Sequence, residues 1–144
     1  MSSHKKVKVK INLKILNELV YQVNGAAMEV HQELGPGLLE NVYHQCMKEE
    51  LNLRGISFKS ELIIPVKYKS KLIDTNLRLD LLVEDILPVE LKAVEEILPI
   101  HQAQLLTYMK LLKLPKGLLI NFNVTNLYYK GQKTLVNELY YDLE

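Results

Sequence analysis

The chain of 144 residues contains no tryptophan, two phenylalanines and one cysteine, Cys46. A single cysteine excludes an internal disulfide framework and a cysteine-built zinc site, and it makes a reducing, cytoplasmic compartment the default. Long apolar runs are missing too, since none approaches the roughly 20 residues a membrane helix needs. Met1-Ser2-Ser3-His4-Lys5-Lys6 is basic, but no apolar stretch follows it, so a secretory signal is not expected. Charge of one sign is also lacking, because 18 Lys and Arg stand against 17 Asp and Glu. What remains is apolar. A 48% hydrophobic content with 24% charged residues excludes a disordered chain. The length fits one domain, and such a chain buries roughly 68–70% of its unfolded surface.

The near-neutral balance hides an uneven distribution. Lys5, Lys6, Lys8, Lys10 and Lys14 all precede the first acid, Glu18. Residues 1–14 therefore read as a basic arm, solvated or in touch with phosphates, and residues 15–144 as the single folded domain. Leu16, Leu19, Val20, Val23, Ala27, Val30 and Leu34 recur at helical spacing, which predicts a helix over about 13–34. Gly35-Pro36-Gly37 ends it. A second helix follows over about 39–54, with Gly55 as its stop.

From Ser57 the period changes to two, which predicts a strand to Tyr68, at an edge or bulged because of Pro65. Leu77 to Val83 and Pro88 to Val94 read as further strands separated by a turn at Glu84-Asp85. Leu98 to Leu112 is helical again, and Leu118 to Phe122 is a short apolar run suited to a buried strand. Leu127 to Tyr129 suits an edge strand, and Leu135 to Tyr140 suits either a strand or a short helix. This order predicts an α/β or α+β fold with a mixed sheet flanked by helices.

The chemistry lies in Leu77-Arg78-Leu79-Asp80-Leu81-Leu82-Val83 and Val89-Glu90-Leu91-Lys92. Strand side chains alternate, so Glu90 and Lys92 share one face. If Val83 faces Leu87 across the turn, Asp80 lies opposite Glu90, with Cβ atoms about 4.5–5.5 Å apart. Two acids that close among leucines repel unless a proton or a cation sits between them. Magnesium suits such a pair, because it takes one or two carboxylates plus water and phosphate oxygens. It would lower the pKa of a bound water and offset phosphoryl charge, while Lys92 would orient the water or neutralise developing charge. The same residues could instead form a cross-strand ion pair contributing only ~0–1 kcal/mol.

Several stretches in series resemble one family. They are Gly25 to His31, Glu33 to Gly37, Gly37-Leu38-Leu39-Glu40-Asn41-Val42-Tyr43, Arg78 to Val83, Val89 to Ala93, Gln104 to Tyr108, and Gly117 to Phe122. In that order, over Leu19 to Phe122, the sequence resembles the small GxxExxY-type branch of the PD-(D/E)xK nuclease superfamily. The resemblance implies a restriction-endonuclease-like core with a mixed sheet of about four strands or more. It implies Asp80 and Glu90 as metal-ligating carboxylates, Glu40 as a helix-borne acid completing the metal site, Lys92 as the catalytic lysine, and Gln104 with Tyr108 bordering the site. The function implied is metal-dependent hydrolysis of phosphodiester bonds in nucleic acid, DNA ahead of RNA, with Mg2+ as cofactor and Mn2+ as its substitute. The alternative is a catalytically weak or inactive nucleic-acid-binding or scaffold module on the same fold. No membrane partner is expected, and the oligomeric state is left open, with a homodimer as one option because many nucleases that cut two strands work as dimers. Gly131-Gln132-Lys133-Thr134 departs from the family's basic Gly-x-Lys-Arg segment by lacking the arginine.

The remaining candidates read more plainly. His31 is expected to pack or hydrogen-bond near Gly35-Pro36-Gly37, His101 to line the site from the third helix, and Cys46 to be a small core residue. Tyr128, Tyr129, Tyr140 and Tyr141 suit base stacking or a subunit interface.

Overall fold

In the computed structural model residues 10–144 are described, so Lys5, Lys6 and Lys8 of the expected arm lie outside the described residues. Helix α1 (Leu13–Leu34) starts at Asn12, whose side-chain oxygen accepts the Ile15 N–H at 2.9 Å. That cap satisfies a donor the helix start leaves open, and it draws Leu13 and Lys14 into the helix. Leu16, Leu19, Val23, Ala26, Ala27 and Val30 form its buried face. Gly35 ends it at φ 68°, and Gly37 turns the chain at φ 102°, conformations that penalise any Cβ. Helix α2 (Glu40–Leu53) follows.

The strands are β1 (Phe58–Ile63), β2 (Val66–Tyr68), β3 (Lys71–Ile73), β4 (Arg78–Val83) and β5 (Leu87–Lys92). Helix α3 (Pro99–Leu112), β6 (Lys116–Asn121) and β7 (Gln132–Val136) complete the core. Five strands make one mixed sheet in the order β1-β4-β5-β6-β7, while β2 and β3 form a separate hairpin. Among the described residues only β5 and β6 run parallel, joined by α3. This is the α+β architecture that the sequence predicts. The strand expected over Ser57–Tyr68 is interrupted at Ile64-Pro65, where the Ile64 N–H bonds the Leu77 carbonyl and Val66–Tyr68 turns away to pair with β3. Pro88, expected to open β5, stands second in it and pairs with Leu82. In place of an edge strand at Leu127–Tyr129 there is one π-helical turn over Leu127–Gly131, and β7 pairs only afterwards.

Both faces of the sheet are covered. Leu81, Val83, Leu87, Val89, Leu91, Leu118, Ile120 and Phe122 pack against α1 and α2. On the other face Leu105 and Met109 of α3 meet Leu119 and Leu135, and Tyr108 and Leu114 meet Leu79, Leu82 and Ile64. Strands β1 and β4 change sides part-way. Phe58, Leu81 and Val83 belong to the α1–α2 core, whereas Leu62 and Leu79 belong to the α3 side. Strict alternation would keep Leu79 with Leu81, so the strands rotate between them, at the Glu61–Asp80 row. That row is the one step absent from an otherwise continuous β1–β4 register. Glu61 has φ 52°, and among the described residues it is the one non-glycine inside a strand with a positive φ. No helix among the described residues is long and apolar enough to cross a membrane.

Candidate active site

The β4–β5 hairpin sets the geometry. Its pairs Val83↔Leu87, Leu82↔Pro88 and Leu81↔Val89 put Asp80 next in register with Glu90, as the turn at Glu84-Asp85 predicts. Past Leu81 the ladder passes to side chains. The Asp80 N–H donates to Glu90 Oε1 at 3.0 Å, and the Leu91 N–H donates to Asp80 Oδ2 at 2.8 Å. Each acid thus braces the opposite strand through one oxygen, which leaves Asp80 Oδ1 and Glu90 Oε2 for chemistry. Lys92 Nζ stands 4.0 Å from Glu90 Oε2. Glu90 is 4% exposed. Burial, reinforced by the Asp80 charge, pushes its carboxyl up to about 8, against the lowering by the Asp80 N–H and by Lys92.

Glu40 enters from the first turn of α2. Partial burial raises its pKa, Lys92 opposes that rise and Asp80 adds to it, with His44 and His101 also acting on it. Gln104 and Tyr108 face the acids from α3. Gln104 Nε2 donates to Tyr108 Oη at 2.9 Å, and Tyr108 packs on Leu79 and Leu82, either side of Asp80. Burial and then the Glu90 charge raise the Tyr108 hydroxyl pKa. Asp80, Glu90 and Lys92 therefore converge, with Glu40, Gln104 and Tyr108 around them. His31 does not join them. Its Nε2 donates to the Val124 carbonyl at 2.7 Å rather than to the Gly35–Gly37 loop. Cys46 is half-buried against the core, as a small apolar residue would be.

Three supporting residues carry roles that the sequence did not assign. Tyr43 is buried, donates to the Gly35 carbonyl at 2.6 Å, accepts the Leu38 N–H at 3.2 Å, and stacks on Phe122 with ring centroids 4.5 Å apart. It therefore clamps the loop that delivers Glu40. Asn121 is 3% exposed. Its Oδ1 accepts the Val94 N–H at 3.0 Å and its Nδ2 donates to the Val94 carbonyl at 2.9 Å, tying down the chain just after Lys92. Buried His44 pairs with Ser60 Oγ at 3.0 Å, one residue before the twisted Glu61. Tyr43 was signalled by its motif, but nothing in the spacing of the chain announces a bidentate asparagine.

The donor set fits a hard divalent cation. Two carboxylates share one nearby ammonium, and in the absence of further positive charge Glu90 holds its proton well above the ordinary value of 4.5. Oxygen donors of this kind suit magnesium or manganese. Among the described residues no three His, Cys, Asp or Glu side chains gather tightly enough to cage a metal unaided, so Glu40 does not close a three-acid cage here. Water and phosphate oxygens would complete the coordination.

A family model described as the PD-(D/E)XK nuclease superfamily matches residues 17–134. No curated protein and no solved structure matches the chain.

Proposed function

Because the chain belongs to the PD-(D/E)XK nuclease superfamily, we propose that its β4–β5 site hydrolyses phosphodiester bonds in nucleic acid, with DNA ahead of RNA. The observation that carries this reading is the reciprocal brace between Asp80 and Glu90. It fixes the buried Glu90 and the half-buried Asp80 side by side. Asp80 and Glu90 would hold Mg2+, or Mn2+ in its place. When bound, the ion would lower the pKa of a coordinated water and offset phosphoryl charge.

The protein's own residues divide the remaining work. Lys92, held beside Glu90 Oε2, orients the attacking water or donates to a non-bridging phosphate oxygen as negative charge builds there. Glu40, partly desolvated and beside the same charges, takes the role of a third acid that positions water from the α2 side. Gln104 and Tyr108 border the site and exclude solvent from the Glu90 side. Water attacks phosphorus, the P–O bond to the leaving nucleoside oxygen breaks, and that oxygen takes up a proton. A homodimer would bring two such sites to a duplex, and the single Cys46 fits a cytoplasmic setting.

The test is incubation of the purified chain with plasmid, single-stranded DNA and RNA, with and without magnesium or manganese. Metal-dependent cleavage that disappears in Asp80→Ala supports the proposal. Cleavage that persists unchanged in Asp80→Ala sinks it, and salt-sensitive binding without cleavage points instead to a binding module.

A further inference from the structure

We propose that His101 is a further residue of this site, donating its Nε2–H to a phosphate oxygen of the bound strand; the inference rests on the nuclease reading above. The Leu98 backbone N–H donates to His101 Nδ1 at 2.9 Å. An amide nitrogen can only donate, so Nδ1 is the unprotonated nitrogen and the hydrogen of the neutral ring sits on Nε2. The bond that caps α3 therefore also selects the tautomer and leaves a donor on the far side of the ring.

The direction of that donor follows from helix geometry. His101, Gln104 and Tyr108 are spaced i, i+3 and i+7, which puts them on one stripe of α3. Tyr108 at the lower end of the stripe packs on Leu79 and Leu82, and Gln104 is hydrogen-bonded to it. The half-buried His101 stands at the upper end, where α3 begins. It also lies close to Glu40, so the two helix starts flank the acids. A polyanionic substrate approaching Asp80, Glu90 and Glu40 meets repulsion from all three, with Lys92 as the ammonium among them. A preset neutral donor helps to seat the phosphate without adding a fixed charge that would pair with the acids.

The residue types that suit the third helical position give a clean test. Glu and Gln there can accept the N-cap N–H as His101 does, so both keep the cap; His101→Gln retains an N–H donor in its amide, whereas His101→Glu has none. Cleavage of fluorescein-labelled oligonucleotides, single-stranded and duplex, is followed with manganese, alongside thermal unfolding of each variant. The expected result is wild-type unfolding in both variants. KM should rise roughly tenfold or more in His101→Glu, the scale of one lost charge-assisted hydrogen bond, and stay near the wild-type value in His101→Gln, with kcat changing less. If His101 serves only as a cap, both variants cleave like wild type and only His101→Ala loses stability; that result overturns the inference and leaves the nuclease reading intact. If the wild-type chain neither binds nor cleaves the oligonucleotides, the nuclease reading fails and this inference falls with it.

Discussion

The two ends of one hairpin handle acidic residues in opposite ways. At its turn, Asp85 pairs with Lys59 at 2.9 Å, both half or more exposed, and Glu84 Oε1 accepts the Ser57 N–H at 3.0 Å. At its open end, Asp80 and Glu90 face each other in the sheet, with backbone N–H donors on one oxygen each and a single ammonium 4.0 Å from the second oxygen of Glu90. The turn acids are satisfied by solvent, lysine and backbone. The open-end acids are oriented by backbone but left short of positive charge. Acids of the first kind contribute to folding in small amounts. Glu90, of the second kind, is destabilised in its charged form by burial and by the Asp80 charge, the signature of a functional carboxyl.

The largest expected contrast between the two ends is catalytic. Asp80→Ala or Glu90→Ala should lower plasmid nicking by roughly 10²–10³-fold or more, the scale on which preorganised charge acts, whereas Asp85→Ala should nick at the wild-type rate. A site-dead Asp85→Ala would erase the distinction. Next in size is Lys92→Met, for which a loss of about 10²-fold in single-turnover rate is expected, with the dependence on manganese concentration retained.

Metal and pH sharpen the contrast on the stability scale. At a hundredfold excess over its dissociation constant, manganese should stabilise the chain by about 2.7 kcal/mol, and in Glu90→Gln that gain should vanish. The folded value of about 8 for Glu90 lies above the ordinary 4.5, so the folded chain holds this proton more tightly than the unfolded one. Stability of the metal-free protein should be fully present below the lower value and fall as pH rises toward the upper one. Manganese must displace the same proton, so its effect on the unfolding midpoint should grow across that window. A flat pH profile that Glu90→Gln leaves unaltered would contradict the assignment. The smallest effect belongs to the turn, where Lys59→Ala should change urea-derived stability by no more than ~1 kcal/mol.

Much of this layout was legible in the chain because it depends on local rules. The helical period and the Gly35-Pro36-Gly37 stop gave α1 its bounds, Leu13–Leu34. A three-residue loop, Glu84-Asp85-Ile86, sets Val83 opposite Leu87, and counting back from there placed Asp80 beside Glu90. What stayed hidden is non-local. The side switch at the Glu61–Asp80 row requires a positive φ at a glutamate, which no propensity favours; it is imposed by packing Leu79 and Leu62 against Tyr108 and Ile64. The π-helical turn at Leu127–Gly131 and the departure of Val66–Tyr68 from the main sheet likewise depend on partners distant in sequence. Within the site, the acids and the lysine could be read from their alternation, but the hydroxyl of Tyr43 and the amide of Asn121 act on backbone that only the folded chain brings near.

The tip of β6 joins two otherwise separate supports. Asn121 grips the segment leaving Lys92, and Phe122 carries the ring of Tyr43 beneath the loop that leads to Glu40. A strand that offers no charge to the reaction therefore works as a shared fulcrum, so a slip of its last residue, Asn121, and of Phe122 just past it would misalign the lysine and the helix-borne acid together.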